Sequence, residues 1–198
     1  MEVAIINYNA GNIHSVELAL MRLGIKPILT NDPEILLKAD KIIFPGVGEA
    51  SSAMQSLKRS KLNKLIPELK QPFLGICLGL QLLCKSSEEG NTKCLGVFPI
   101  RVLKMQNKPL AQLKIPHMGW NNISNIKGVL FEGISPSDYF YFVHSYYAQF
   151  SEYTSATCTY NNLFSAALSM DNFHAVQFHP EKSSIVGERL LKNFIEKT

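Results

Sequence analysis

No apolar run in the chain reaches the roughly 18 residues that a membrane-spanning helix needs, so no membrane segment is expected. The opening Met1-Glu2-Val3-Ala4-Ile5-Ile6 lacks a positively charged start and a small-residue cleavage site. That argues against a secretory leader and makes the cytoplasm the expected compartment. The four cysteines, Cys77, Cys84, Cys94 and Cys158, form no CxxC pair, so their spacing carries no zinc or thioredoxin-type signal. No Walker loop and no dinucleotide fingerprint is present. No basic run is interleaved with aromatics, which speaks against nucleic acid. Neither a metal nor a cofactor is expected. Repeats, low-complexity stretches and linkers are also lacking, and the reading is one domain over residues 1–198.

What remains is an ordinary globular composition. At 46% hydrophobic and 18% charged over 198 residues, the chain can bury one sizeable core. The formal charge is 20 − 16 = +4, too modest to select a polyanionic partner. Its one loose basic cluster, Lys58, Arg59, Lys61 and Lys64, reads as a solvated helix face. Cys84, Cys94 and Cys158 read as small buried hydrophobes. His14 and His174 read as ordinary surface or core residues.

The first half alternates short apolar runs with helical spacing. Val3–Tyr8, Ile25–Thr30, Lys41–Phe44 and Phe73–Ile76 read as strands. Ile13, Val16, Leu20 and Leu23 recur at helical intervals, and Gly24 marks a stop. Asp32-Pro33-Glu34 offers an N-cap followed by Pro at the first helical position. Further helices are expected over Ser51–Arg59, Leu62–Leu69 and Leu78–Lys85. Such alternation implies a parallel sheet covered on both faces. The second half is richer in strands: Val97–Met105, Gln112–Ile115, Tyr139–Val143, Tyr146–Phe150, Ser155–Tyr160, Phe164–Ser169 and Ala175–Phe178. These suggest antiparallel hairpins added to that sheet. A helix over Ile185–Ile195 closes the chain.

Gly75-Ile76-Cys77-Leu78-Gly79 is the most informative pentapeptide. Glycines two residues either side of a nucleophile permit a tight strand-to-helix turn, the nucleophile elbow, here with Cys in place of Ser. The turn lifts the sulfur to a helix start, where the dipole favours the reactive thiolate, and offers the Leu78 N–H to a developing oxyanion. Gln177-Phe178-His179-Pro180-Glu181-Lys182 ends the last strand, because Pro180 cannot continue a ladder. In an extended segment His179 and Glu181 point the same way, so the carboxylate can fix the ring's tautomer. Lys41–Phe44 runs into Pro45-Gly46-Val47-Gly48, whose glycines free backbone N–H groups to face an anion. All three pieces follow strand ends, and ligand sites in open α/β sheets form beyond the carboxyl ends. Together they supply a nucleophile, an oxyanion loop and an oriented base, the set required for acyl transfer.

These three motifs, with Leu80-Gln81 completing the second, resemble the class I (triad) glutamine amidotransferases. Tyr8-Asn9-Ala10-Gly11-Asn12, Pro116-His117-Met118-Gly119-Trp120-Asn121, Tyr141-Phe142-Val143-His144-Ser145-Tyr146 and His179-Pro180-Glu181-Lys182-Ser183-Ser184 narrow the likeness to the glutaminase subunits of imidazole glycerol phosphate synthases. The likeness implies a flavodoxin-like three-layer α/β sandwich, its mostly parallel central sheet extended by antiparallel strands. It implies that Cys77 attacks the glutamine carboxamide, His179 moves the protons and Glu181 orients His179. Val47 and Gly48 would belong to the oxyanion strand, with Leu78 N–H as the other donor. Gln81, Glu89, Ser145 and Tyr146 would contact glutamine. The implied partner is a (β/α)8-barrel cyclase that takes the ammonia, in a heterodimer, with Asn12, Pro116, Met118, Trp120 and Lys182 toward it. Pro116–Asn121 is also turn-like and holds the only Trp, and large aromatics and Met favour interfaces. From the residues alone Trp120 reads equally as core.

One departure matters. The family often begins its first motif Asp-Tyr-Gly, whereas this chain has Asn7-Tyr8-Asn9. That departure keeps open a paralogous amidotransferase subunit serving another synthase. The further alternatives are a stand-alone Cys–His hydrolase, against which Pro116–Asn121 argues, and a non-catalytic binding subunit, against which the complete triad argues.

Overall fold

The computed structural model of the chain describes residues 1–8, 13–106 and 113–198. In chain order the strands are β1 (Val3–Ile6), β2 (Ile28–Thr30), β3 (Lys41–Gly46), β4 (Phe73–Cys77), β5 (Cys84–Ser87), β6 (Thr92–Lys93), β7 (Phe98–Lys104), β8 (His117–Asn122), β9 (Tyr139–His144), β10 (Tyr146–Ala148), β11 (Thr154–Tyr160), β12 (Asn162–Met170) and β13 (Phe173–Val176). The helices are α1 (Ile13–Arg22), α2 (Pro33–Lys38), α3 (Ala50–Arg59), α4 (Leu62–Leu65), α5 (Leu78–Leu83) and α6 (Ser184–Lys197). Helix α2 starts as its sequence dictates: Asp32 accepts from Glu34 N, and Pro33 opens the helix. No helix among the described residues is long and apolar enough to cross a membrane.

The central sheet has seven strands in the order β11-β12-β13-β4-β3-β1-β2. Pairs from β13 to β2 are parallel, while β11–β12 and β12–β13 are antiparallel. The strands of its middle are buried on both faces, and successive residues go to opposite sides. Ala4, Ile6, Ile42, Phe44 and Phe73 join a cluster with Leu36 of α2, Leu57 of α3 and Leu62 of α4. Val3, Ile5, Ile43, Leu74 and Ile76 join a second cluster with Leu20 of α1 and Leu191 and Phe194 of α6. Two clusters on one sheet make the three-layer α/β sandwich.

Several expectations need correction. Of the strands expected in the second half, those found as β11, β12 and β13 join the central sheet; among the described residues β7 and β10 instead join β5 and β6 in a four-stranded sheet, and β9 pairs with β8 in a two-stranded one. The helix expected over Leu78–Lys85 stops at Leu83, and Cys84 turns into extended backbone because Cys84–Ser87 pairs with β7. The strand expected at Gln112–Ile115 is absent from Leu113–Ile115, and Gln112 lies outside the described residues. The turn expected at Pro116–Asn121 is largely strand β8, in register with β9 from His117↔His144 to Asn122↔Tyr139. Its Gly and Asn residues disfavour strand, but cross-strand pairing decides.

One close approach fixes the junction of β4 and α5. A Cβ at Gly79 would stand 2.0 Å from the Phe44 carbonyl oxygen of β3, and backbone cannot yield as a flexible side chain can. Gly79→Ala is therefore expected to lower unfolding stability by about 1–3 kcal/mol, the usual range for overpacking. Urea unfolding checks this, and an unchanged midpoint would contradict the packing described.

Candidate active site

Strands β3, β4 and β13 are neighbours, and their carboxyl ends carry the three motifs. The register sets Gly46 opposite Cys77 and Val176 beside Ile76. Cys77 has φ 55° and ψ −107°, a conformation that costs a non-glycine residue about 1–3 kcal/mol and persists only where packing imposes it. The tight contact at Gly79 supplies that packing. On the other side, Gly46 lies on the Tyr8 hydroxyl, which would be 2.3 Å from a Cβ there. A side chain at Gly46 would displace the loop that continues through Val47 and Gly48.

His179 follows β13 and is anchored by its backbone. Its N–H donates to the Tyr141 carbonyl (2.9 Å), and its carbonyl accepts from Ser183 Oγ (2.6 Å). Ser183 Oγ in turn accepts from Tyr141 N (2.9 Å). His179 Nδ1 lies 2.7 Å from Glu181 Oε1, with the two side chains 2% and 1% exposed. The approach is made differently from the expected one: Pro180–Lys182 is a 3-10 turn rather than extended chain. The other ring nitrogen, Nε2, meets no nitrogen or oxygen partner among the described residues, which leaves it to the Cys77 sulfur.

Burial works against charge on the His179 ring, but four influences outweigh it. The Cys77 sulfur acts by charge and by hydrogen bonding, and Glu181 adds a hydrogen bond and its own charge, so the pKa rises from 6.5 to about 10. The remaining cysteines behave as core residues. All three are buried, and burial pushes the Cys94 thiol to about 11, that of Cys158 to about 12 and that of Cys84 well upward.

Cys77 and His179 line a cavity of about 380 Å³, within the range of small-ligand pockets. Val47, Gly48, Leu78, Gln81, Glu89, Ser145 and Tyr146 line it too. The Glu89 carboxyl is held up by burial, against the pull of an Ala50 N–H bond (2.7 Å), with nearby Glu49 adding to the rise. Gln81 commits Nε2 to the Tyr146 carbonyl (2.9 Å) and to Gln177 Oε1 (3.1 Å), so only its oxygen remains for a ligand. Gln177 Nε2 reaches the Cys77 sulfur at 3.7 Å. Sequence reasoning assigned no role to Gln177, nor to His144, another lining residue; both lay inside quoted motifs, which was the only signal.

The residues expected to face a partner divide. Pro116 lines the cavity. Met118 and Trp120 are 62% and 53% exposed, so Trp120 is not core. Trp120 meets Tyr141 edge-on at 6.0 Å, and Lys182 Nζ lies 6.0 Å from the centre of the same ring. Asn12 lies outside the described residues. His14 is exposed beside Glu17 (3.4 Å), and His174 bonds Ser169 Oγ at 3.0 Å, so neither belongs to the site.

Comparison with known proteins gives a consistent result. The family described as Glutamine amidotransferase class-I matches residues 4–198. Imidazole glycerol phosphate synthase subunit HisH of Bacteroides fragilis (strain YCH46) is 55% identical, over 99% of this chain and 100% of that protein. The protein of the same name from Vibrio cholerae is 46% identical over 98% of both. Among solved structures, one described as a glutamine amidotransferase superposes with a TM-score of 0.75 at 20% identity, covering 99% of this chain and 98% of that one. A glutamine amidotransferase from Thermotoga maritima gives 0.66 at 20%, covering 99% and 81%. At these identities the two structures speak to the fold alone.

Because the folded His179 pKa lies above 6.5, its contribution to stability is complete below that value and is lost as pH rises through about 10. NMR titration should find the imidazole still protonated at pH 8. Glu181→Gln should lower the midpoint by about one unit or more, as expected on losing an adjacent opposite charge. A wild-type ring that is neutral at pH 8 would contradict this geometry.

Proposed function

The chain belongs to the class-I glutamine amidotransferase family, and from that premise we propose that it is the glutaminase subunit of an imidazole glycerol phosphate synthase. The observation that carries the chemistry is that Cys77 and His179 line one cavity, with Glu181 on the His179 ring. The pathway rests on full-length likeness to subunits of that name. The whole chain, residues 1–198, acts as one catalytic domain in the cytoplasm.

Glutamine enters with its carboxamide toward Cys77. The sulfur attacks the carbonyl carbon, and the negative oxygen that develops is met by the N–H groups of Leu78 and Gly48. His179, protonated at neutral pH, gives its proton to the departing nitrogen, and ammonia leaves a thioester on Cys77. The ring, now neutral, takes a proton from water as the hydroxide adds to the thioester, and collapse expels the Cys77 thiolate beside the again protonated ring and releases glutamate with one proton. The sum is glutamine plus water to glutamate, ammonia and a proton, that is, glutamate plus ammonium. Glu181 holds the ring through Nδ1 throughout. Glu89 faces the substrate's ammonium group, while Gln81 Oε1 and the backbone of Ser145 and Tyr146 complete the pocket.

The partner is a separate (β/α)8-barrel cyclase, joined in a heterodimer. It uses the ammonia to form imidazole glycerol phosphate and an aminoimidazole carboxamide ribotide. Met118, Trp120 and Lys182 offer it an exposed patch beside the cavity, which fits the usual interface preference for aromatics and Met over isolated charge. Pro116, at the cavity wall, leads into the same strand, and Asn12 is assigned to the partner contact from its sequence motif alone.

Cys77→Ala should cut glutamine hydrolysis by at least about 10³-fold, as loss of a nucleophile does, with an unchanged circular dichroism spectrum; retained activity would remove the glutaminase assignment. Trp120→Ala should weaken cyclase binding by about tenfold or more, the behaviour of a buried aromatic anchor. Isothermal titration with the cyclase measures it, and unaltered affinity would place the interface elsewhere.

A further inference from the structure

Strand β8 presents Met118 and Trp120 to solvent, yet on its other face it buries a histidine. His117 is 2% exposed and does not line the cavity. Its ring is sandwiched between Phe142 and Tyr160, nearly parallel to both, with centroids 4.7 and 3.9 Å away. In that slot His117 Nδ1 lies 3.1 Å from His144 Nε2, and His117 Nε2 lies 3.4 Å from Asn121 Nδ2. His144 closes β9, lines the cavity, and sets its Nδ1 2.8 Å from the Tyr146 carbonyl oxygen.

The chemistry of these atoms permits one arrangement of protons. A carbonyl oxygen only accepts, so His144 Nδ1 carries a hydrogen. Burial drives both rings toward the neutral form. It lowers His144 to about 3, with the Tyr146 carbonyl pulling the other way and His117 and His179 adding to the fall, and it lowers His117 to about 4. A neutral imidazole has one N–H, so His144 Nε2 accepts and His117 Nδ1 donates. His117 Nε2 is then the acceptor, and it faces the Asn121 amide nitrogen, which is a donor. The Tyr146 carbonyl receives a second donor from Gln81 Nε2 at 2.9 Å. One carbonyl at the pocket wall is thus held from two sides, by Gln81 of α5 and by His144 of β9, which His117 of β8 backs.

We propose that His117 and His144 form a neutral hydrogen-bonded relay through which strand β8 positions the Ser145–Tyr146 wall of the glutamine pocket. His117 touches no substrate and is a positioning residue that sets the affinity for glutamine. The relay also explains why an outward-facing strand keeps a histidine on its inner face. Its functional half rests on the glutaminase reading above.

The test joins kinetics of the chain bound to its cyclase partner with a spectroscopic measurement on the full chain. His117→Phe keeps an aromatic ring in the slot and deletes the donor to His144. It should raise the KM for glutamine about tenfold, equivalent to about 1.4 kcal/mol, and leave kcat within about twofold, since the reacting groups are untouched. His117→Asn restores an amide nitrogen close to the place of Nδ1 and should recover most of the affinity. In the wild type, ¹⁵N NMR without substrate should show the hydrogen on Nδ1 of both rings. An Nε2–H tautomer at either ring, or a His117→Phe enzyme whose KM is unchanged, overturns the relay. A wild-type chain that hydrolyses no glutamine even with the cyclase bound would overturn the glutaminase reading instead, and the tautomers would still decide whether the relay exists.

Discussion

Everything at this site depends on the backbone of Cys77 being forced into a conformation that it would not adopt alone. The residue sits at φ 55° and ψ −107° because β4 must become α5 within one residue, while Gly79 lies against the Phe44 carbonyl of the neighbouring strand. The strain is held by main chain, which is the stiffest restraint available. The register of β3 and β13 against β4 then determines what else arrives at that point: Gly46 stands across from Cys77, and the chain leaving Val176 delivers His179. A shift of one residue in either pairing would send these groups to the other face of the sheet.

Much of this was legible in the sequence for physical reasons. Strands buried on both faces read as short continuous apolar runs, and β1, β3 and β4 did. A cap such as Asp32-Pro33 acts locally, so α2 could be placed from a few residues. The glycines around Cys77 announce a turn whose need for close approach is a property of the backbone. The separation of the cavity from the other three cysteines followed because only Cys77 has such neighbours.

The parts that were missed depend on contacts between distant segments. Nothing local in Cys84–Ser87 says that it will pair with β7, and the helical spacing of Leu78–Leu83 runs on into it. Pro116–Asn121 has the composition of a turn, and only the ladder with β9 makes it a strand. His117 and His144 are 27 residues apart and meet across that ladder, so no spacing rule could have joined them. Glu181 was expected to meet His179 through extended chain, whereas a 3-10 turn brings them together, because Ser183 ties the segment to Tyr141.

The central claim is that one sulfur of four is the nucleophile, singled out by backbone geometry and by the ring beside it. The most direct measurement is covalent trapping with a chloroketone analogue of glutamine, followed by proteolysis and mass spectrometry. The account predicts a single adduct on the peptide containing Cys77, suppressed by excess glutamine. An adduct on Cys84, Cys94 or Cys158 in its place, or labelling that glutamine does not slow, would contradict it.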